Sequence, residues 1–528
     1  MNDTLKRRLE IIVVAGLLGI AVWFRLMRLS SVPGISGDEG WWGINALNWL
    51  SGRPYEAHTT SGNPTDLFFL VPVALVHGLA PPSFLLLRAV PAVVNLLALP
   101  VGFWLVRRLY GSPTAWIYTV ALAIMPTAIA HSRICQDPSQ SIFWTGLFIL
   151  ICLLGFKERH RAWIYLGAAV AVFPVVVWTH PTNVFTASFL LLPALAAIAP
   201  LLPVSRANRA ILVGSAVGLA ALGAAAAVPA LSHLPFSRQY LDQPWLSMAM
   251  ARLFDVRQWL EFAVNNARLF NGVTVYHYFS GARPPTLLYD AGFVLAVILA
   301  AAGFVKTPAA RRSSLDYGLI AACTMMWIGF YLFAGPDALR PHFERWGLCL
   351  IVPGTLVLAR GFSGWLWIPN MRSIGTVTAA GLAIAVSSSF YLNYFEQFAR
   401  TGGRSHLTYV TAAIEPKQQA FEHILAASPG PGAVVAVGSQ QWWLYKPLTY
   451  LATVHPQIAV TETRDLTRLP GYEDALTHGR LFFVEFADTR EWTSTMQWIE
   501  QHGLRVKNTA VRDASGRNLL EILQVSRP

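Results

Sequence analysis

Gly37-Asp38-Glu39-Gly40-Trp41-Trp42-Gly43-Ile44-Asn45-Ala46-Leu47-Asn48 follows the first long apolar run of the chain. Two adjacent carboxylates open a tryptophan-rich segment where a bilayer would meet water, and such aromatics favour the membrane interface. Acids there are wet enough to ionise and near enough to meet a lipid headgroup. The stretch reads as the chemical centre of an integral membrane enzyme. Ser36 and Glu39 also satisfy a capping box, with Ser36 as cap and Glu39 reaching back. That structural role leaves Asp38 less accounted for, and a carboxylate beside a lipid phosphate can act as general base on a hydroxyl.

Outward from this stretch the chain is dominated by apolar runs. Of 528 residues, 54% are hydrophobic and 13% charged, which argues against a soluble globule. Runs of bilayer length are expected at 9–27, 84–106, 115–130, 141–156, 162–178, 184–203, 210–231, 287–305, 315–334, 346–359 and 374–392, about eleven spans. The apolar run 67–79 is too short to cross and reads as a juxtamembrane helix within the external segment 28–80. With that choice, Lys6-Arg7-Arg8, Arg107-Arg108, Lys157–Arg161, Arg206/Arg209 and Lys306/Arg311-Arg312 all face the cytoplasm. The net charge of +12 is thereby explained by orientation, and no nucleic-acid partner is implied. The N-terminus is expected inside. The first run reads as a retained anchor, since no small-residue cleavage site follows it. The four cysteines suggest neither a disulfide framework nor a zinc site.

Composition changes near residue 393. Residues 433–438 and 480–486 read as buried strands, 416–427 and 491–502 as helices, so 393–528 is expected to form a small external α/β domain with a mostly parallel sheet. The fold class is thus a polytopic α-helical membrane protein, 1–392, with a C-terminal α/β domain. Nothing in that domain suggests chemistry of its own.

Two further external clusters carry candidates. His131-Ser132-Arg133-Ile134-Cys135-Gln136-Asp137 holds Arg133, able to grip a phosphate, and Asp137, which can orient an acceptor, bind a metal or start the next helix. Arg340-Pro341-His342-Phe343-Glu344-Arg345 places Arg340, His342 and Arg345 on the external side, where basic residues are less usual; a phosphate partner explains them. His58 and His180 are weaker candidates, since a histidine at a span end is commonly structural.

Together these pieces resemble the GT-C superfamily of membrane glycosyltransferases, most of all its protein O-mannosyltransferase and aminoarabinose-transferase branch. The resemblance rests on Asp38-Glu39 after the first span and on Asn63-Pro64 before the short apolar helix. It rests further on Arg107-Arg108-Leu109-Tyr110-Gly111 at a span end, on Arg133 and Asp137, and loosely on Arg340–Arg345. It covers mainly 1–180 and more weakly 330–360. Asn63-Pro64 stands where His-Pro-Pro or Lys-Pro is usual, and the late motif lacks its tyrosine. The resemblance implies inverting transfer of a sugar from a polyprenyl-phosphate donor to a glycan, lipid or protein hydroxyl. The enzyme would sit in the inner (plasma) membrane of a bacterium, with its site and C-terminal domain outside. Asp38, with Glu39 beside it, would supply the catalytic carboxylate. Arg133, Arg340, His342 and Arg345 would hold the leaving phosphate. No cofactor is required, although Asp38 and Asp137 can share a divalent cation. The competing readings are a transporter or flippase of lipid-linked sugars and a non-catalytic membrane assembly factor. Transporters tend to carry internal repeats and midplane polar groups, which this chain lacks.

Overall fold

The computed structural model describes residues 3–59, 64–198, 245–308, 312–368, 372–428, 430, 432–438, 441–468 and 471–528. The expected span 210–231, the end of 184–203, Asn63 and the Arg206/Arg209 cluster lie outside them.

Helix α1 (Asp3–Leu26) is followed by α2 (Gly37–Leu50), α3 (Leu67–His77) and α4 (Phe84–Tyr110). The capping box forms as read: Glu39 N–H donates to Ser36 Oγ at 3.3 Å, and Ser36 N–H donates to Glu39 Oε2 at 2.9 Å. Helix α3 starts where the Asp66 carboxylate accepts from Phe68 N–H at 2.9 Å. At 11 residues it spans roughly 16 Å, about half a bilayer core. It is therefore the expected non-crossing helix. Ser83 caps α4, whose 27 residues end at Tyr110; Gly111 follows as the C-terminal cap, where φ is +89° and glycine is favoured.

Among the described residues seven helices are long and apolar enough to cross a membrane, or eight if Ser112–Ile124 and Pro126–Ser132 count as one span. That pair is bent by 56°, and Pro126 opens its second half. The helices Asp3–Leu26 and Arg372–Phe390 occupy two more expected positions. The figure of about eleven spans is thus not reached by length and composition among the described residues. The helices share one core that includes Leu99, Tyr118, Phe148, Met326 and Ile351.

Among the described residues the C-terminal unit carries five strands: β1 (Ala433–Val437), β2 (Ile458–Glu462), β3 (Leu481–Phe486), β4 (Arg505–Arg512) and β5 (Asn518–Ser526). Their order is β2-β1-β3-β5-β4. β1 runs parallel to β2 and β3, whereas β5 is antiparallel to both β3 and β4. The expected mostly parallel sheet is thus corrected to a mixed one. The reason is the β4–β5 hairpin, whose turn is tied by Asp513 accepting from Ser515 and Arg517 N–H and by Gly516 at φ +83°. β4 is an exposed edge with little apolar alternation, so it leaves a weak trace in the sequence.

This unit packs on the juxtamembrane layer. Glu415 accepts from Ile35 N–H at 3.1 Å and pairs with buried Lys417 at 2.8 Å. Thr408 Oγ1 donates to the Ile35 carbonyl at 3.2 Å, and Gly34 N–H to that of Tyr409 at 3.0 Å. The loop that leads into α2 is therefore clamped before the two acids begin.

Candidate active site

Asp38 and Glu39 are successive helical residues, so their side chains leave the axis about 100° apart. Glu39 points inward and is fully buried. Its oxygens take Arg88 Nε at 2.7 Å, Arg88 Nη2 at 2.8 Å and Cys135 N–H at 2.9 Å. Arg88, also fully buried, spends its other protons on the carbonyls of Leu29, Pro33 and Gly34. Glu39 thus holds the loop and the helix start together. Its carboxylate is not a wall of the cavity described next.

Asp38 points the other way, into a cavity of about 480 Å³. Gln136 Nε2 donates to Asp38 Oδ2 at 3.1 Å, and Trp442 Nε1 donates to Oδ1 at 3.1 Å. Five candidates line this cavity: Asp38, Asp137, His180, His342 and Arg345. Trp41, Trp42, Phe343 and Trp346 add apolar wall, and Tyr278 and Gln136 come from neighbouring elements. The C-terminal part contributes His406, Thr408, Tyr409, Trp442 and Trp443.

The histidines around the cavity are pushed toward the neutral form. Burial, with a smaller contribution from the Arg345 charge, lowers His180 to about 3. Its Nδ1 lies 2.7 Å from Thr182 Oγ1. Burial and then Arg345 lower His342 as well, whose Nδ1 lies 3.0 Å from Tyr278 Oη. His342 sits at φ +86°, a left-handed backbone that costs a non-glycine residue and recurs at functional sites. Both imidazoles can donate or accept hydrogen bonds without adding charge. Arg345 provides the positive counterpart to Asp38, and the two charges interact across the cavity.

The other candidates lie elsewhere. Arg133 is fully buried, and its guanidinium donates to the carbonyls of Phe24, Met27 and Val32, each at 2.7 Å. It ties the end of α1 to the helix Pro126–Ser132 and does not line the cavity. Arg340 is half-exposed and pairs with Glu261 and Asp337. His58 is exposed and forms an isolated bridge with Pro64, next to Thr59 on the cavity rim. Among the described residues no group of three or more His, Cys, Asp or Glu converges to hold a metal ion. Asp38 and Asp137 are two carboxylates only, and both Asp38 oxygens already accept hydrogen bonds.

Sequence reasoning missed Arg88, Gln136 and the whole C-terminal wall. Arg88 carried a signal, being a charge inside an apolar run. The wall carried a fainter one: Gly37, Gly40 and Gly43 recur every third residue, a stripe that lets another backbone approach.

No family model and no curated protein matches the chain. Solved structures do. ArnT from Cupriavidus metallidurans bound to undecaprenyl phosphate is similar at a TM-score of 0.51 and 14% identity, covering 96% of this chain and 97% of that one. The apo state of the same protein gives 0.40 at 15% identity, over 98% of each chain. The archaeal oligosaccharyltransferase AglB from Archaeoglobus fulgidus, in complex with an inhibitory peptide and a dolichol-phosphate, gives 0.49 at 12%, over 99% of this chain and 74% of its own. The likeness to undecaprenyl-phosphate-bound ArnT runs the length of both chains, and this chain shares the fold of that protein.

Proposed function

We propose that this protein is an inverting glycosyltransferase that moves a sugar from a polyprenyl-phosphate donor to an acceptor hydroxyl. The observation that carries the reading is that Asp38 and Arg345, a proton acceptor and a fixed cation, line one cavity beside the membrane-crossing helices. The undecaprenyl phosphate in the ArnT structure of like fold supports a lipid-linked donor. The positive-inside pattern supports a reaction at the external face, and we propose a bacterial inner membrane as its setting.

In this scheme the acceptor oxygen attacks the anomeric carbon from the face opposite the phosphate. Asp38 takes the hydroxyl proton as that bond forms. The bond from the anomeric carbon to the phosphate oxygen breaks, and its electron pair leaves with the polyprenyl phosphate. Inversion follows from attack opposite the leaving group. Arg345 faces the charge that grows on the phosphate, so it stabilises the transition state more than the ground state. Neutral His180 and His342 offer hydrogen bonds that orient sugar or phosphate without competing with Arg345. Asp137 is proposed on the acceptor side. Each step uses the chain's own residues.

The test is to incubate purified protein with a panel of polyprenyl-phosphate sugars and to assay free polyprenyl phosphate. Release with at least one donor is expected. Binding of such lipids with no release under any acceptor would favour a carrier over a transferase.

A further inference from the structure

The two halves of the site lie far apart in the chain: Trp442 is 404 positions from the Asp38 it touches. What brings them together is the contact between α2 and the helix Trp442–Ala452. A Cβ on Gly37 would stand 2.1 Å from Trp442 Cδ1. One on Gly40 would stand 2.5 Å from the Lys446 carbonyl carbon, and one on Gly43 2.5 Å from Tyr450 Cδ2. Residues 442, 446 and 450 recur every fourth position, so one helical face meets one glycine stripe.

That face is pinned along its length. Trp442 bonds Asp38 at one end. Lys446 lies 3.3 Å from Glu56, which also accepts from Trp41 Nε1 at 2.7 Å. Tyr450 Oη donates to the Ser83 carbonyl at 3.1 Å and lies 2.7 Å from His77 Nε2 at the far end. The indole N–H is therefore delivered to Asp38 from a rigid support. A carboxylate turns easily about its last torsion. Here Trp442 holds one oxygen and Gln136 the other. Of about four lone-pair sites, two are taken, and those left are fixed in direction.

We infer that Trp442 is a positioning residue for Asp38, so that the C-terminal domain completes the transfer site. This rests on the reading of Asp38 as the base. An unfixed carboxylate would meet the acceptor hydroxyl in fewer productive orientations, and misplacement of this kind costs on the order of 10²-fold in rate.

The test uses the full-length purified protein and three variants. W442F removes the N–H and keeps an aromatic ring. G37A displaces the indole by a second route. Y450F loosens the far end of the same helix without touching Asp38. Difference infrared spectra against the matching D38N protein isolate the Asp38 carboxylate stretch. We expect W442F and G37A to shift that band and to lower kcat on the order of 10–10²-fold, with the donor KM unchanged. Y450F should lower the melting temperature and leave the band in place. A band unmoved in W442F and G37A, or moved equally in Y450F, overturns the inference. So does a shifted band with an unchanged kcat. A wild-type protein inactive on every donor sinks the transferase reading and the positioning role with it, while the band still reports whether the hydrogen bond exists.

Discussion

Asp38 and Glu39 show how far one position can separate two identical functional groups. Ser36 and Glu39 announce the capping box in the sequence, and it forms. The sequence does not announce that Glu39 also neutralises Arg88, because that partner lies 49 residues away. On the capping box alone, Glu39→Gln would be mild, since Gln also closes such a box. The buried pair changes that expectation. Glutamine cannot neutralise Arg88, and breaking a fully buried pair typically costs about 3–5 kcal/mol. E39Q should therefore lower stability sharply, read as a fall in melting temperature in detergent. An unshifted melting temperature would contradict the structural role of the pair. Arg133 teaches the same lesson from the other side. An arginine in an external motif reads as a phosphate ligand until three backbone carbonyls are seen around it.

At the scale of elements, local patterns were legible and long-range docking was not. The short α3 follows from bilayer thickness alone, and 416–427 reads as a helix from its periodicity. The edge strand β4 and the hairpin it forms with β5 escaped because exposed strands lack an apolar code. The helix 442–452 escaped as a site element because its partner stripe lies near the other end of the chain. G40A should strain the α2 contact, where overpacking costs typically 1–3 kcal/mol. G292A is the comparison, since a Cβ there meets nothing within 4 Å. Thermal melts of the two should differ, with G40A much the lower; equal melts would mean that the helices are not in close contact. In the sheet, burial pushes Glu485 from its ordinary 4.5 up to about 8. The folded state then keeps a proton that the unfolded chain releases. Its stabilising contribution is full below about pH 4.5 and is lost as pH rises toward about 8. E485Q should flatten the fall in stability across that window, as measured by melts at successive pH values; an unchanged slope would contradict it.

For the whole molecule, the sequence indicated a membrane-embedded helical body, an external acidic motif and a small α/β domain. The shared fold with ArnT agrees with the helical body and the small C-terminal domain of that outline. Nothing in the sequence of the α/β domain suggests chemistry of its own, and the structure makes that domain a wall of the cavity. In the proposed sugar transfer Asp38 is the base and Arg345 meets the leaving phosphate. The most direct test of these roles is turnover and donor affinity measured side by side in wild type, D38N and R345A. Asn keeps the size of Asp38 and cannot take the proton, so kcat should fall about 10²–10⁴-fold with donor binding intact. R345A should weaken donor binding, since a charged hydrogen bond is worth roughly 1.5–3 kcal/mol, and should lower kcat as well, since Arg345 meets the charge that grows on the phosphate. A D38N protein that turns over donor at the wild-type rate would contradict the claim outright.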